Sequence, residues 1–147
     1  MQAIKVTDEK VVGEEKSNTR MRLPDIDPTT RVLAMPTDTN AAGDIFGGWI
    51  MSQVDIAASI AAHRHSGTRT VTVAVNSFLF KKPVYVGDLI SCYASIKKVG
   101  NTSITVFVEV YAERSRLQIE VVKVTEATLT FVAIDENGKP QTVRPLD

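Results

Sequence analysis

One aspartate in a glycine-rich segment has the surroundings that acyl-transfer chemistry requires. Asp44 belongs to the run Gly43-Asp44-Ile45-Phe46-Gly47-Gly48-Trp49, which leads directly into a predicted helix. A helix start offers free backbone N–H groups and the positive end of the helix dipole, which favour a negative charge. Gly47 and Gly48 lack side chains, so a ligand carbonyl can approach their N–H groups closely. Such a donor would stabilise the oxyanion of a tetrahedral intermediate by about 3–4 kcal/mol.

A structural interpretation of the same residues is also open. An aspartate at a helix start is most often an N-cap that accepts hydrogen bonds from first-turn amides. Paired glycines most often allow two elements to pack closely. From these residues alone, Asp44 is either a cap or a reactive carboxylate.

The element that must position Asp44 is a long helix beginning at Gly47. Apolar residues recur at helical spacing and Ser66-Gly67 ends the pattern, the apolar positions being Ile50, Met51, Val54, Ala57, Ala58, Ala61 and Ala62. The second half of this stripe is almost entirely alanine, which predicts a central helix lying close against a sheet. Asp55 is an isolated carboxylate on this helix. It could face a substrate, although a structural hydrogen bond is the simpler role.

Strand patterns surround the helix. A short strand is predicted at 31–35, and four strand patterns follow the helix, around 71–75 and over 89–99, 104–110 and 121–134. The later runs are joined by short turns, which favours an antiparallel sheet. One helix cannot cover both faces of such a sheet, so we expect an exposed edge or face to be buried against another subunit.

Length and composition set the remaining bounds. The 147 residues fit one domain, and we interpret 1–20 as a flexible N-terminal arm before a single domain over 21–147. Lys+Arg and Asp+Glu are balanced at 17 each, so no global field attracts nucleic acid or a membrane. No apolar run approaches the roughly 20 residues of a membrane helix, and no secretory signal is present, which predicts a cytoplasmic protein. The only cysteine, Cys92, cannot form an intramolecular disulfide.

No metal site is expected from the two histidines. His63 and His65 lie at positions i and i+2 of the predicted helix, where side chains point in different directions. Their position near the helix C-terminus favours an interaction with its negative dipole end.

Two stretches of the chain resemble a known family. Met35-Pro36-Thr37-Asp38-Thr39-Asn40, followed by Gly43 through Met51, closely resembles the YciA-type acyl-CoA thioesterases of the hotdog superfamily. The resemblance extends from about Arg31 to Pro140, and further matching positions include Val86-Gly87-Asp88, Gly100-Asn101-Thr102-Ser103-Ile104 and Gly138-Lys139-Pro140.

This resemblance implies an α+β hotdog fold, with a long central helix wrapped by a curved antiparallel sheet of about five strands. It implies a homo-oligomer, a dimer or a trimer of dimers, with active sites at the dimer interface. The implied enzyme hydrolyses acyl-CoA to a free acid and coenzyme A. Coenzyme A is then part of the substrate, and neither a separate cofactor nor a metal is expected.

The resemblance also implies roles for particular residues. Asp44 acts as general base on water or as nucleophile, and the backbone N–H of Gly47 or Gly48 polarises the thioester carbonyl. Asn40 lies near the site in the preceding loop. This chemistry needs no metal or strong acid, because a thioester is activated and thiolate is a good leaving group; a positioned carboxylate is sufficient.

Basic side chains are candidates for holding the three phosphates of coenzyme A. The coenzyme-binding candidates are Lys81, Lys82 and Arg69, with Lys97 and Lys98 as further possibilities. Ordinary solvated lysines at strand ends are the alternative interpretation. The stretches 72–79 and 115–122 differ from the family pattern, so acyl-chain preference and coenzyme binding do not follow from the resemblance.

Two other functions remain in competition with hydrolysis. A hotdog dehydratase or hydratase would generally use a histidine with a carboxylate, and the Asp44 segment contains no histidine. A non-catalytic acyl-CoA-binding or regulatory module would keep the fold without turnover, and the sequence leaves this alternative open.

Overall fold

The computed structural model describes residues 20–115 and 117–147. The predicted flexible arm therefore lies outside the described residues, except for Arg20, and stays a prediction. Within the described ranges, no helix is both long and apolar enough to cross a membrane.

One helix and five strands form the described chain, in agreement with the predicted α+β architecture. A short 3-10 turn at Pro36–Asp38 precedes the helix α1, Gly47–Ser66. The strands are β1 (Thr30–Leu33), β2 (Arg69–Phe80), β3 (Leu89–Val99), β4 (Ser103–Ser115) and β5 (Ile119–Ile134). They form one sheet in the order β1-β3-β4-β5-β2, with every neighbouring pair antiparallel.

The inner face of the sheet and one stripe of α1 make the core. In β4, Ile104, Val106, Val108 and Val110 alternate with outward residues and are fully buried. The helix contributes its predicted apolar stripe, of which Ile50, Val54, Ala57, Ala58 and Ala62 are buried. The alanines keep α1 close to the sheet because they occupy little space between the two backbones. Gly67 ends the helix as predicted, in a left-handed conformation (φ 68°) with its N–H bonded to the carbonyl of His63.

The connections place the start of α1 at a defined end of the sheet. Ala34, just after β1, exchanges backbone hydrogen bonds with Gly87 and Asp88, just before β3. The helix begins at this end of the sheet, where β2 ends at Phe80. It ends at the opposite end, where the chain reverses and β2 begins at Arg69. Any site at the helix start therefore lies at the same end of the sheet as the β2–β3 loop, residues 81–88.

Strand β2 is an edge strand with an apolar surface. It pairs with β5 on one side only, and its exposed apolar side chains are Val71, Val73, Val75 and Leu79. An exposed apolar edge of 12 residues is a template for pairing with another chain. This feature is consistent with the expected subunit contact.

Candidate active site

The loop before α1 is shaped by the side chain of Asn40. Its Oδ1 accepts hydrogen bonds from the backbone N–H groups of Ala42 (2.9 Å) and Asp44 (3.1 Å). The backbone N–H of Asn40 donates to the carbonyl of Asp44 (2.7 Å), and Thr39 pairs with Ile45 in an isolated bridge. Asn40 and Asp44 are thus brought together, and the bonds to Oδ1 leave the Asn40 amide nitrogen for other partners.

Asp44 is exposed and lies three residues before the helix. The interpretation of Asp44 as an N-cap is wrong, because Phe46 occupies that position and the first turn contains no acidic residue. Asp44 is therefore available for another role. It lies too far from the first helical turn to gain the full effect of the dipole, which falls off within one turn.

Gly47 and Gly48 are the first two helical residues. Among the described residues, the first helical amide with a backbone partner is that of Trp49, which donates to the carbonyl of Phe46 at 3.1 Å. The N–H groups of the two glycines precede this bond and belong to the set that a helix leaves without internal partners. A Cβ added to Gly48 would meet nothing within 4 Å. Packing against the described residues therefore does not require a glycine at position 48, and a ligand or a second subunit has room to approach the backbone closely there.

A second carboxylate, Asp55, lies in the wall of a cavity between α1 and β2. Its Oδ1 accepts a hydrogen bond of 2.6 Å from the hydroxyl of Thr72. The cavity has a volume of about 270 Å³ and is also lined by Met51, Ser52, Val75, Phe78 and Leu129. The Ser52 hydroxyl donates to the carbonyl of Trp49 (2.7 Å), so Asp55 and Thr72 supply the distinctive polar groups of a largely apolar pocket. This composition suits an apolar chain with a reacting polar group at one end.

The structural hydrogen bond predicted for Asp55 exists, between its carboxylate and the hydroxyl of Thr72. The cavity around it could not be read from the sequence. A lone carboxylate on an otherwise apolar helix was the only sequence signal for this site. Its hydrogen-bond partner, Thr72, lies on the next element, β2.

The predicted coenzyme-binding cations do not form one group within the chain. Lys81 pairs with Glu126 at 3.3 Å, whereas Lys82 is exposed just after the end of β2. Arg69 lies at the opposite end of β2, and 12 residues of strand span roughly 35–40 Å. Lys81 and Lys82 are therefore at the end of the sheet where α1 begins, and Arg69 of the same chain is at the other end.

Comparison with known proteins identifies the family. The family model described as the thioesterase superfamily matches residues 42–119, a range that includes the helix start, α1 and most of the sheet. The chain belongs to the thioesterase superfamily. The acyl-CoA thioester hydrolase YciA of Escherichia coli is 44% identical over 126 residues, which cover 84% of this chain and 96% of that protein.

Solved structures of this superfamily match the fold. A hexameric hotdog-fold thioesterase of Campylobacter jejuni has a TM-score of 0.77 and 46% identity, covering 80% of this chain and 90% of that one. An acyl-CoA hydrolase from Staphylococcus aureus, solved with butyryl coenzyme A and coenzyme A, has a TM-score of 0.74 and 31% identity, covering 80% and 71%. The hotdog fold and the YciA resemblance are confirmed, and the chain is an acyl-CoA thioester hydrolase.

Two further structures of the Staphylococcus aureus thioesterase are single alanine mutants. One replaces an aspartate and the other a threonine, and the two mutated positions lie 17 residues apart in that chain. Asp55 and Thr72 of this chain are separated by the same 17 residues. The cavity pair thus matches, in residue types and spacing, the two side chains mutated in that hydrolase.

Proposed function

We propose that this hydrolase cleaves acyl-CoA in the cavity between α1 and β2, with Asp55 as the carboxylate that activates water. The observation that carries the proposal is the Asp55–Thr72 hydrogen bond in the wall of a largely apolar cavity. The Thr72 hydroxyl binds one carboxylate oxygen and fixes the orientation of the group. The other oxygen is left to accept a proton from water, and the apolar wall receives the acyl chain.

The reaction then proceeds by general base catalysis. Water attacks the thioester carbonyl while Asp55 takes its proton, which forms a tetrahedral oxyanion. The C–S bond breaks, coenzyme A leaves as a thiolate, and the proton on Asp55 passes to the sulfur. The products are a free acid and coenzyme A, and no metal is needed because thiolate is a good leaving group.

We infer that the oxyanion is stabilised at the helix start of the partner subunit. Within one chain Gly47 lies eight residues before Asp55, about 12 Å along the helix axis, which is too far for both to act on one carbonyl. The N–H groups of Gly47 and Gly48 precede the first hydrogen bond of the helix, and the space beside the Cα of Gly48 is open. The Asn40 amide nitrogen is a further donor from the ordered loop. Donors fixed before the reaction stabilise developing charge without reorganisation.

Asp44 is the competing carboxylate for the role of base or nucleophile. It lies three residues before Gly47, but it is exposed and is not among the residues that line the cavity beside Asp55. These two properties favour Asp55, which is half-buried in the cavity wall, because a general base works best where the base and the water are held in place.

A second subunit would complete the site. The Campylobacter jejuni thioesterase is hexameric, and β2 of this chain has an unpaired apolar edge beside the cavity. We propose a dimer through β2, or a trimer of such dimers. Antiparallel pairing of two β2 strands would place Arg69 of the partner subunit near Lys81 and Lys82, where the three cations could bind coenzyme A phosphates.

The test is release of free thiol from acyl-CoAs of increasing chain length. Asp55→Asn keeps the shape of the side chain and removes the base, so kcat should fall by about 100-fold or more. Asp44→Asn should keep most of the activity, as should Asp27→Asn, a control at an exposed aspartate before β1.

A loss in Asp44→Asn with full activity in Asp55→Asn would overturn this assignment and make Asp44 the base. If the wild type released no thiol but bound coenzyme A, the non-catalytic binding module would be the correct function.

A further inference from the structure

The β2–β3 loop, residues 81–88, is held in place by an ion pair between a half-buried arginine, Arg114, and a buried aspartate, Asp88. The Nε of Arg114 donates to both carboxylate oxygens of Asp88, at 3.1 and 3.2 Å, and its Nη2 donates to the carbonyl of Pro83 at 2.6 Å. Asp88 is almost fully buried and also accepts a hydrogen bond from the backbone N–H of Tyr85. A loop on the surface is thus fixed at three points along its length.

This rigid loop presents one aromatic ring to solvent. The guanidinium carbon of Arg114 lies 4.6 Å from the centroid of the Tyr85 ring, yet Tyr85 remains 49% exposed. The stacked Arg114 covers part of the ring and leaves the rest accessible. An exposed aromatic side chain that is already fixed in place loses little entropy when a flat ligand stacks on it.

Position and charge indicate what that ligand is. The bonds of Ala34 to Gly87 and Asp88 join the loop to the end of β1, at the end of the sheet where α1 begins, and exposed Lys82 lies three residues before Tyr85. Coenzyme A carries an adenine ring and phosphates at the end far from its thiol. A nucleobase stacks well on an aromatic ring that is backed by arginine, and a lysine attracts phosphate.

We propose that Tyr85, backed by Arg114, is the platform on which the adenine of coenzyme A stacks. The proposal rests on the proposed function, since it assigns the nucleotide end of the same substrate. Tyr85 is then a specificity residue for the coenzyme and takes no part in thioester cleavage. Arg114 and Asp88 are positioning residues that keep the ring and the loop in place.

The test compares one acyl group carried by coenzyme A with the same group carried by pantetheine, which lacks the nucleotide. Tyr85→Leu should lower kcat/KM for the coenzyme A ester by roughly 5-fold or more, through KM. It should leave kcat/KM for the pantetheine ester unchanged. Tyr85→Phe keeps the ring and should behave as wild type, and Val86→Ala is a matched control at an exposed apolar residue of the same loop.

Equal losses on both esters, or no loss on either, would overturn the platform. A changed sedimentation coefficient in Tyr85→Leu would also overturn it, by showing that the ring contacts another subunit. If the wild type cleaved neither ester, the proposed function would fail by itself. Calorimetric titration of coenzyme A into wild type and Tyr85→Leu would then test whether Tyr85 is the platform. Equal affinities for coenzyme A would overturn that role.

Discussion

At the scale of single residues, the pair Asp55–Thr72 differs from an ordinary structural hydrogen bond by its surroundings. A carboxylate in an apolar wall is costly unless a partner or a reaction requires it. Thr72 supplies one partner, and the second oxygen of Asp55 has no protein donor among the described residues. Thr72 therefore acts as a positioning residue for the proposed base.

The prediction at this scale concerns Thr72. Thr72→Val keeps the shape of the side chain but removes the hydroxyl that donates to Asp55. We expect kcat to fall by about 10-fold, which corresponds to the free energy of one hydrogen bond to a charged group. Thr72→Ser keeps the hydroxyl and should retain most activity. Steady-state kinetics with one acyl-CoA would measure both variants, and full activity in Thr72→Val would remove Thr72 from the mechanism.

At the scale of elements, an ionic network joins β4, β5 and the end of β2 on the outer face of the sheet. Lys123 bonds to Glu109 at 2.6 Å and also to Glu126, which in turn pairs with Lys81. The hydrogen bond from Lys123 holds the pKa of Glu126 below its ordinary value. Burial alone would lower the pKa of Lys123, but its bonds to the two glutamates raise it above the ordinary value.

The predicted consequence is a pH-dependent contribution to stability. A carboxylate with a lower pKa in the folded chain stabilises the fold above its unfolded pKa, and this contribution disappears as pH falls through the folded value. Glu126→Gln should therefore lower the free energy of unfolding at pH 7 by about 1 kcal/mol. At pH 3 the difference from wild type should be smaller.

Urea unfolding at fixed protein concentration would measure this difference, with Glu136→Gln as the control, because Glu136 is exposed and has no ion pair among the described residues. A loss that is equal at pH 7 and pH 3 would show that the network is not the cause.

At the scale of the whole molecule, the edge strand β2 connects activity with assembly. It forms one wall of the cavity through Thr72, Val75 and Phe78, and its other edge is open. If two β2 strands pair, the cavity is closed by the partner. Activity and subunit association should then be lost together.

A charge on this edge tests that dependence. Val73 is 54% exposed on β2, and Val73→Lys would place a strongly hydrated charge in the proposed interface. Sedimentation should show smaller assemblies, and thiol release should fall in parallel. Ile26→Lys, which changes an exposed apolar residue before β1 in the same way, should change neither. An active wild-type monomer would contradict the interface.

The fold was largely predictable because local periodicity decides it. The stripe from Ile50 to Ala62 predicted α1, and the alternation from Ile104 to Val110 predicted β4, which the structure extends to Ser103–Ser115. The site was only partly predictable. Glycines at a helix start are a local signal, whereas Asp55 and Thr72 meet only after a helix has packed on a strand.

The order of the strands also determines which pairings depend on distant parts of the chain. Strands β3, β4 and β5 follow one another and form a meander. Strand β2 pairs only with β5 among the described strands, and the paired residues of β5 lie about 45–65 residues later along the chain. Closing that loop costs chain entropy before any contact is gained. We therefore expect the meander to form early in folding and β2 to join late. In a dissociated subunit, the wall that holds Thr72 should then open more readily than the meander, and amide hydrogens of β2 should exchange with deuterium faster than those of β4.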